Sequence, residues 1–195
     1  MRIISGTSKG RKLVTPRSPS LRPTSDRVKE SIFNILRVEM EGKVVLDLFA
    51  GTGNLGIEAL SRGAKKAIFV EKGRQAIRLI QRNLTQLGLE ERSEIVPIDS
   101  SRATGILKQR GESFDLILMD PPYEKGLIQK TLMKLNFYPI YHKDSILVIE
   151  HNRREPLPDT LAGWILIRQR WIGDTIISFL TPREEDYSTK VKIEP

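Results

Sequence analysis

Apolar residues along most of this chain occur in short blocks that are typical of strands alternating with helices. After Gly42 there are five strand-length apolar runs, at residues 44–48, 67–70, 94–98, 114–119 and 145–149. Stretches with helical spacing lie between them, at residues 55–62, 74–87, 101–110 and 125–135. Repeated strand and helix units predict a parallel sheet with helices on both faces.

Both ends of the chain depart from this pattern. Residues 164–171 and 175–180 are β-prone and flank Gly173 and Asp174, which predicts a C-terminal antiparallel hairpin. Residues 2–5 and 11–15 predict a small N-terminal hairpin, and apolar residues recur at helical spacing from Asp26 to Met40.

We therefore predict an α/β, Rossmann-like, doubly wound fold with a mostly parallel seven-stranded sheet. Its predicted parts are a basic N-terminal hairpin and helix extension over residues 1–41, a main domain over 42–182 and a polar tail over 183–195.

The composition narrows the possible chemistry. The chain contains no cysteine, which excludes disulfides, thiolate ligands and thiol nucleophiles. Its two histidines, His142 and His151, lack neighbours at metal-ligand spacing, so we expect no metal site. The apolar runs are far shorter than the roughly 20 residues of a membrane span. Because the first residues show no signal-peptide pattern either, we expect a soluble, cytoplasmic protein.

Most of the net charge of +8 lies near the N-terminus, since residues 1–38 contain nine basic and only two acidic residues. A concentrated basic segment favours contacts with nucleic-acid phosphates. A solvated surface arm is the simpler alternative. The predicted RNA contacts in this segment are Arg2, Lys9, Arg11 and Lys12.

Three glycines, Gly51, Gly53 and Gly56, follow the first predicted strand with G-x-G-x-x-G spacing and open a helix. This context indicates a nucleotide-type cofactor site. Glu71 ends the next strand, where a carboxylate can bind two ribose hydroxyls. Both a nicotinamide cofactor and S-adenosylmethionine fit these features.

Asp47 favours S-adenosylmethionine, although a turn-forming aspartate is the alternative. A carboxylate four residues before Gly51 would repel a pyrophosphate and attract an ammonium group. Asp99 ends the third strand, where the adenine amino group should lie, and it could also cap the following helix. Phe49 and Ser100 complete the predicted cofactor contacts.

The tetrapeptide Asp120, Pro121, Pro122 and Tyr123 follows the fourth strand, where it would face the cofactor's methyl group. An exocyclic amine on a base is a poor nucleophile, because its lone pair is delocalised into the ring. The Asp120 carboxylate and the Pro121 carbonyl can accept its N–H groups and favour pyramidalisation. The prolines fix the backbone, and Tyr123 offers a face for stacking a flipped base. A simple turn after a strand is the alternative interpretation.

The motif order DLFAGTG, VEK, PID and DPPY resembles the class I S-adenosylmethionine-dependent amino methyltransferases. The segments MRIISGTSKGRKL and LRPTSDRVKESIFNIL are similar to the bacterial family that methylates N2 of one guanine in 16S ribosomal RNA, and the resemblance covers most of residues 1–182. It implies S-adenosylmethionine as cofactor and 16S rRNA, in an assembling or assembled 30S subunit, as partner. It also implies that Arg22, Thr24, Asp26 and Arg27 lie near the substrate. Arg22 and Arg27 could equally hold the arm to the domain, and Asp26 could cap the helix.

Three other functions share part of this pattern. An N6-adenine methyltransferase acting on DNA or RNA would share the DPPY tetrapeptide. A nicotinamide-dependent oxidoreductase would share the glycines but leave that tetrapeptide without a role. A non-catalytic RNA-binding protein would need neither Asp120 nor the glycines. The short strands and modest apolar surface lead us to expect a monomer.

Overall fold

The computed structural model describes residues 1–15, 25–36, 40–122 and 126–183. The elements of this part of the chain are α1 (Asp26–Leu36), β1 (Val44–Asp47), α2 (Asn54–Ser61), β2 (Lys66–Val70), α3 (Arg74–Leu87), β3 (Ser93–Val96), α4 (Ser100–Gln109), β4 (Phe114–Met119), α5 (Leu127–Phe137), β5 (Tyr141–Asn152), β6 (Trp164–Ile172) and β7 (Thr175–Pro182). Most predicted boundaries agree within two residues. The fifth strand extends further than predicted at both ends, because Tyr141 already pairs with Phe114 of β4 and Asn152 with Thr175 of β7.

The strands form one sheet in the order β3-β2-β1-β4-β5-β7-β6. Strands β1 to β5 are parallel, whereas β7 runs antiparallel between β5 and β6. The chain moves outward from β1 through β2 and β3, and then returns to place β4 on the other side of β1. This switch point lies at the carboxyl end of β1, where open α/β sheets bind their ligands. The predicted seven-stranded fold with a C-terminal antiparallel hairpin is confirmed.

Alternate residues of the parallel strands contribute to separate apolar cores on the two faces of the sheet. Val45, Phe69 and Val148 lie in the core that is covered by α1, α2 and α3. Leu46, Ile68 and Ile149 lie in the core that is covered by α4 and α5. This alternation also decides toward which face the residues that follow each strand point.

The N-terminal residues belong to the first of these cores. Ile3 and Leu13 are 1% and 6% exposed and share that core with Ile32 of α1 and Leu60 of α2. Ile3, Leu13 and the buried apolar residues of α1 therefore pack in one core with those of the main domain.

The predicted N-terminal hairpin is only partly formed, as a single antiparallel bridge between Arg2 and Lys12. Helix α2 provides the physical reason. The Glu58 carboxylate accepts hydrogen bonds from the backbone N–H groups of Ile4 and Ser5 at 2.9 and 3.0 Å. The two arms are joined by backbone hydrogen bonds from the Ile3 N–H to the Arg11 carbonyl and from the Leu13 N–H to the Met1 carbonyl, whereas the next two donors of the first arm bind α2.

Lys29 joins the N-terminal residues to α1 and α2. Its ammonium group is fully buried, lies 3.4 Å from the buried Glu58 carboxylate and donates a hydrogen bond to Asn54 Oδ1 at 2.7 Å. It also donates to the carbonyl of Arg2. Burial lowers the pKa of Lys29, and the nearby carboxylates of Glu58 and Asp26 oppose that shift. A buried amine with these partners fixes all three segments in one arrangement.

Candidate functional site

A cavity of about 540 Å³ lies at the carboxyl ends of the parallel strands. Its walls include residues that end or follow β1, β2, β4 and β5, together with the start of α1 and of α4. Small-molecule and cofactor sites commonly have volumes of about 300 to 1,000 Å³. Both the position at the switch point and the size therefore suit a nucleoside-type ligand.

Most of the predicted catalytic and cofactor-binding residues meet at this cavity. Its lining includes nine of them: Asp47, Phe49, Gly51, Glu71, Asp99, Ser100, Asp120, Pro121 and Pro122. Gly53 is set back from the cavity at the start of α2. Tyr123, Arg22 and Thr24 lie outside the described residues. Contacts between any of these residues and a cofactor or substrate stay predictions.

The glycine loop between β1 and α2 has a backbone that other residues rarely adopt. Gly51 and Gly53 have φ angles of 54° and 76°, in the left-handed region, and Gly53 is the N-cap of α2. The Gly51 N–H donates a hydrogen bond to Glu71 Oε2 at 2.9 Å, and the Gly56 N–H donates to Asp47 Oδ2 at 3.0 Å. The strand-end carboxylates of β1 and β2 thus hold the loop in place.

Asp47 is 1% exposed. Burial raises the pKa of its carboxyl to about 7, with the Gly56 hydrogen bond acting in the opposite direction and the charges of Asp120 and Glu71 raising it further. The two neighbouring carboxylates make this part of the cavity electronegative. A cationic group placed here would relieve the repulsion, whereas an anionic pyrophosphate would add to it.

Glu71 divides its two oxygens between two backbone donors. Oε2 binds the Gly51 N–H, and Oε1 accepts the Gly73 N–H at 2.7 Å. These bonds fix the orientation of the carboxylate at the cavity wall. Because each carboxylate oxygen can accept more than one hydrogen bond, Glu71 keeps acceptor capacity for hydroxyl groups.

Asp99 caps α4, which is the second role that the sequence predicted for this residue. Its Oδ1 accepts the Ser101 N–H at 3.0 Å, and its Oδ2 accepts a hydrogen bond from the Lys72 ammonium at 2.7 Å. The Lys72 hydrogen bond is the main cause that lowers the pKa of Asp99 to about 2. Asp99 therefore lines the cavity as a carboxylate with a basic partner.

Asp120 and Pro121 lie directly beyond β4, at the centre of the row of strands. The register pairs Leu118 of β4 with Asp47 of β1, and Met119 with Ile149 of β5. Pro121 is buried, whereas Pro122 is exposed. The backbone carbonyl and carboxylate of this segment thus stand between the glycine loop on one side and the end of β5 on the other.

The cavity also contains residues that the sequence reasoning missed. Glu150 lies in the carboxyl-terminal part of β5, directly after the predicted strand at residues 145–149, so the same strand-end rule could have found it. Lys72 adjoins Glu71 and was detectable by its position. Ser25 and Val28 of the α1 region line the cavity as well, but no strand pattern could have placed a distant N-terminal helix there.

The predicted basic contacts of the N-terminal segment keep largely exposed side chains, as does Arg27. Arg2 contacts Asp26, with Nε 3.6 Å from Oδ2, and the Arg11 guanidinium donates a hydrogen bond to the carbonyl of Gln86. Ser25 caps α1, since its hydroxyl accepts the Val28 N–H at 3.2 Å. Asp26, which was the predicted alternative cap, forms an ion pair with Arg2.

The part of the chain that the structure describes contains no group of three or more His, Asp or Glu side chains placed to hold a metal ion. His151 is buried, with Nδ1 3.0 Å from the Glu155 carbonyl and Nε2 2.8 Å from Ser178 Oγ. No helix within these same residues has both the length and the apolar character to cross a membrane.

Comparison with known proteins gives consistent matches. Residues 1–181 match the family model described as conserved hypothetical protein 95. The chain is 36% identical over 173 residues to the ribosomal RNA small subunit methyltransferase D of Escherichia coli K12, covering 89% of this chain and 85% of that protein. It is 39% identical over 183 residues to YlbH of Bacillus subtilis, named as a candidate rRNA methyltransferase, covering 94% and 100%. A solved structure of YhhF from Escherichia coli, described as a candidate methyltransferase, matches with a TM-score of 0.82 at 29% identity, covering 94% of this chain and 98% of that one.

Proposed function

Since this chain belongs to the conserved hypothetical protein 95 family, we propose that it transfers a methyl group from S-adenosylmethionine to the exocyclic N2 amine of a guanine in 16S rRNA. One observation supports this function above all. A single cavity brings the strand-end carboxylates of β1 and β2 together with Asp120 and Pro121 of the tetrapeptide.

The donor set of the cavity fits S-adenosylmethionine. This cofactor supplies a methyl group on a sulfonium and also has an ammonium group and a ribose diol. Asp47 lies where a cation relieves carboxylate repulsion, and Glu71 presents oriented oxygens for the two hydroxyls. Asp99 and Ser100 at the start of α4 would face the adenine, with Phe49 along the same wall. A dinucleotide fits less well, because its pyrophosphate would lie against Asp47.

The tetrapeptide would prepare the substrate amine. The Asp120 carboxylate and the Pro121 carbonyl accept the two N–H groups, which draws the nitrogen lone pair out of conjugation and aims it at the methyl group. Proline fixes φ at positions 121 and 122, so the acceptors need little reorganisation. Asp120 is half-buried at the cavity, where it remains accessible to a flipped base.

Ribosomal RNA is the substrate that the relatives' names and the basic N-terminal segment favour together. Exposed Lys9, Arg11 and Lys12 supply phosphate contacts without sequence readout. A 30S subunit, assembling or assembled, presents the target. We place the protein in the cytoplasm as a monomer, with Arg168 and Arg170 interrupting the exposed apolar residues of the edge strand β6.

Methyl transfer can be tested with labelled S-adenosylmethionine and 30S subunits that lack the modification, followed by digestion and identification of the labelled nucleoside. Label in N2-methylguanosine at one site is expected. Label in N6-methyladenosine would show that the target base is adenine and not guanine. Absence of label in any nucleic acid would refute the function.

Asp120→Ala should abolish this transfer while cofactor affinity stays within a few-fold of the unmodified protein. Asp115→Ala is the matched control, because Asp115 lies on the same strand at the end remote from the cavity, where it binds the Val44 N–H. Undiminished turnover in the Asp120 variant would remove the role assigned to the tetrapeptide.

A further inference from the structure

Glu150 occupies the position beside Asp120 at the end of the neighbouring strand. The β4 and β5 register pairs Leu118 with Val148 and Met119 with Ile149, so Asp120 directly follows the last paired residue of β4 and Glu150 that of β5. Side chains alternate between the two faces along a strand. Val148 lies in the core that α1, α2 and α3 cover, so Glu150, two residues later in the same strand, points toward that face.

The Glu150 side chain is 5% exposed and lines the same cavity as Asp120. Its backbone lies inside the sheet, where Glu150 pairs with Ile177 of β7 on the side opposite β4. Pairing of β5 with both β4 and β7 thus fixes the backbone from which this carboxylate extends.

The spatial order of the strands separates Glu150 from the cofactor acids. Along the carboxyl edge the order is Asp99 after β3, Glu71 after β2, Asp47 in β1, Asp120 after β4 and Glu150 near the end of β5. The first three lie on the glycine-loop side of Asp120, and Glu150 lies on the other side. A group that binds near Glu150 is thus on the substrate side of the tetrapeptide.

The bases differ in what they present next to their exocyclic amine. In guanine the N2 amine adjoins the ring N1–H, so two kinds of donor lie side by side. In adenine and cytosine the amine adjoins a ring nitrogen that carries a lone pair. A carboxylate facing that position accepts a hydrogen bond from guanine but repels the lone pair of the other two bases.

We propose that Glu150 accepts the N1–H of the target guanine and makes the site selective for guanine over other amino-bearing bases. This inference rests on the proposed function and adds the residue that selects the base. Asp120 and the Pro121 carbonyl bind the N2 hydrogens, while Glu150 fixes the base in its plane beside them. Glu150 is a positioning and specificity residue, since the methyl group is transferred at N2.

The test compares two target bases that both carry a 2-amino group. Guanine has a donor at N1, and 2,6-diaminopurine has an acceptor there. After the methylated nucleotide has been mapped, small subunits are reconstituted with either base at that site, and kcat/KM is measured for each. The unmodified protein should prefer guanine by about tenfold to a hundredfold, the range expected for one misplaced hydrogen-bond pair.

Glu150→Gln should reduce this preference about tenfold, because the glutamine amide can turn its NH₂ toward N1 of 2,6-diaminopurine. Glu150→Asp retains a carboxylate and should retain the preference for guanine, with a lower kcat. The matched control is Asp144→Asn, which neutralises an exposed acid on the same strand at the end remote from the cavity and should leave the ratio unchanged. Cofactor affinity should stay within about twofold in all three variants, since Glu150 lies on the substrate side.

An equal loss of activity on both bases in the Glu150→Gln variant would overturn the proposal, because a purely structural role affects both substrates alike. An unchanged preference would overturn it as well, while leaving methylation of guanine N2 intact. If the unmodified protein forms no N2-methylguanosine, the proposed function itself fails, and the inference about Glu150 fails with it.

Discussion

Replacing Asp47 with asparagine should stabilise the free protein and at the same time weaken cofactor binding. The asparagine side chain has nearly the same shape, and its Oδ1 can still accept the Gly56 N–H that Asp47 now accepts at 3.0 Å. The substitution removes the charge and replaces one carboxylate oxygen by an NH₂ group, in a 1% exposed position near Asp120 and Glu71. Burying that charge is unfavourable when no cation is bound.

The magnitude follows from the pKa of the Asp47 carboxyl, which rises from 3.8 to about 7 on folding, chiefly through burial. At about 1.4 kcal/mol per pKa unit, ionised Asp47 lowers the free energy of unfolding by about 4 kcal/mol above the folded-state pKa. Because the folded state binds its proton more tightly, the unfavourable contribution grows as the pH rises from 3.8 to about 7. It is about 1.5 kcal/mol near pH 5 and reaches its full size near pH 8.

Urea unfolding of both proteins, measured across this pH range, checks the prediction. The stability difference between Asp47→Asn and the unmodified protein should increase by about 2.5 kcal/mol between pH 5 and pH 8. Asp99→Asn is the matched control, because the Lys72 hydrogen bond lowers the pKa of Asp99 to about 2, and loss of that charge should give no gain in stability. If the stability difference between Asp47→Asn and the unmodified protein does not grow with pH, burial of the Asp47 charge is not unfavourable and the reasoning is refuted.

Calorimetric titration with S-adenosylmethionine provides the second measurement. Loss of a charged hydrogen-bond partner for the ammonium group should weaken binding about tenfold to a hundredfold. In the unmodified protein, affinity should fall as the pH drops below about 7, because the cofactor must then displace a proton from Asp47. Equal affinity in both proteins at every pH would show that the cofactor does not contact this carboxylate.

Two other predictions concern packing and RNA binding. Gly56→Ala should destabilise the protein by about 1 to 3 kcal/mol in thermal or urea unfolding, because a Cβ there would lie 2.4 Å from Cε1 of the buried Phe69 ring. Gly105→Ala in α4, whose Cβ would meet nothing closer than 3.6 Å, should be neutral or stabilising and is the control. Replacing both Lys9 and Lys12 with alanine should reduce the salt dependence of rRNA binding, the log–log slope changing by about 1.5 to 2. An unchanged slope, with the fold intact, would contradict a phosphate-contacting role for the basic segment.

The fold was predictable because each element has its own signal in the sequence. Strands such as β4 have apolar residues on both faces, and helices such as α3 begin and end at the residues predicted from the spacing of apolar positions. The resemblance to the bacterial small-subunit rRNA methyltransferases is confirmed, and so is the sheet with its antiparallel end. The N-terminal hairpin was predicted less well. Its β-prone residues bind α2 through Glu58 and Ser61, about 50 residues away in the chain, and no local pattern contains such a contact.

The candidate site was predictable to the extent that its residues follow strands. The rule that ligands bind at the carboxyl ends found Asp47, Glu71, Asp99 and Asp120, and the structure brings all four to one cavity. Glu150 was missed because the fifth strand has no glycine motif or proline pair to draw attention to its end. Val28 was missed for a different reason, since α1 reaches the cavity only through its packing on α2 with Lys29 buried between them.

The distribution of charge at the cavity indicates which class of ligand it binds. Asp47, Glu71, Asp120 and Glu150 all line the cavity, and Asp120 and Glu71 raise the pKa of Asp47. Repulsion within such a cluster is unfavourable, and bound cations or N–H donors would relieve it. A cationic cofactor on one side of Asp120 and a base edge rich in N–H donors on the other would provide that compensation. An anionic dinucleotide would increase the repulsion, and a binding-only protein would gain nothing from keeping it. The electrostatics of the cavity therefore favour methyl transfer from a sulfonium cofactor over the other functions that share its glycine motif.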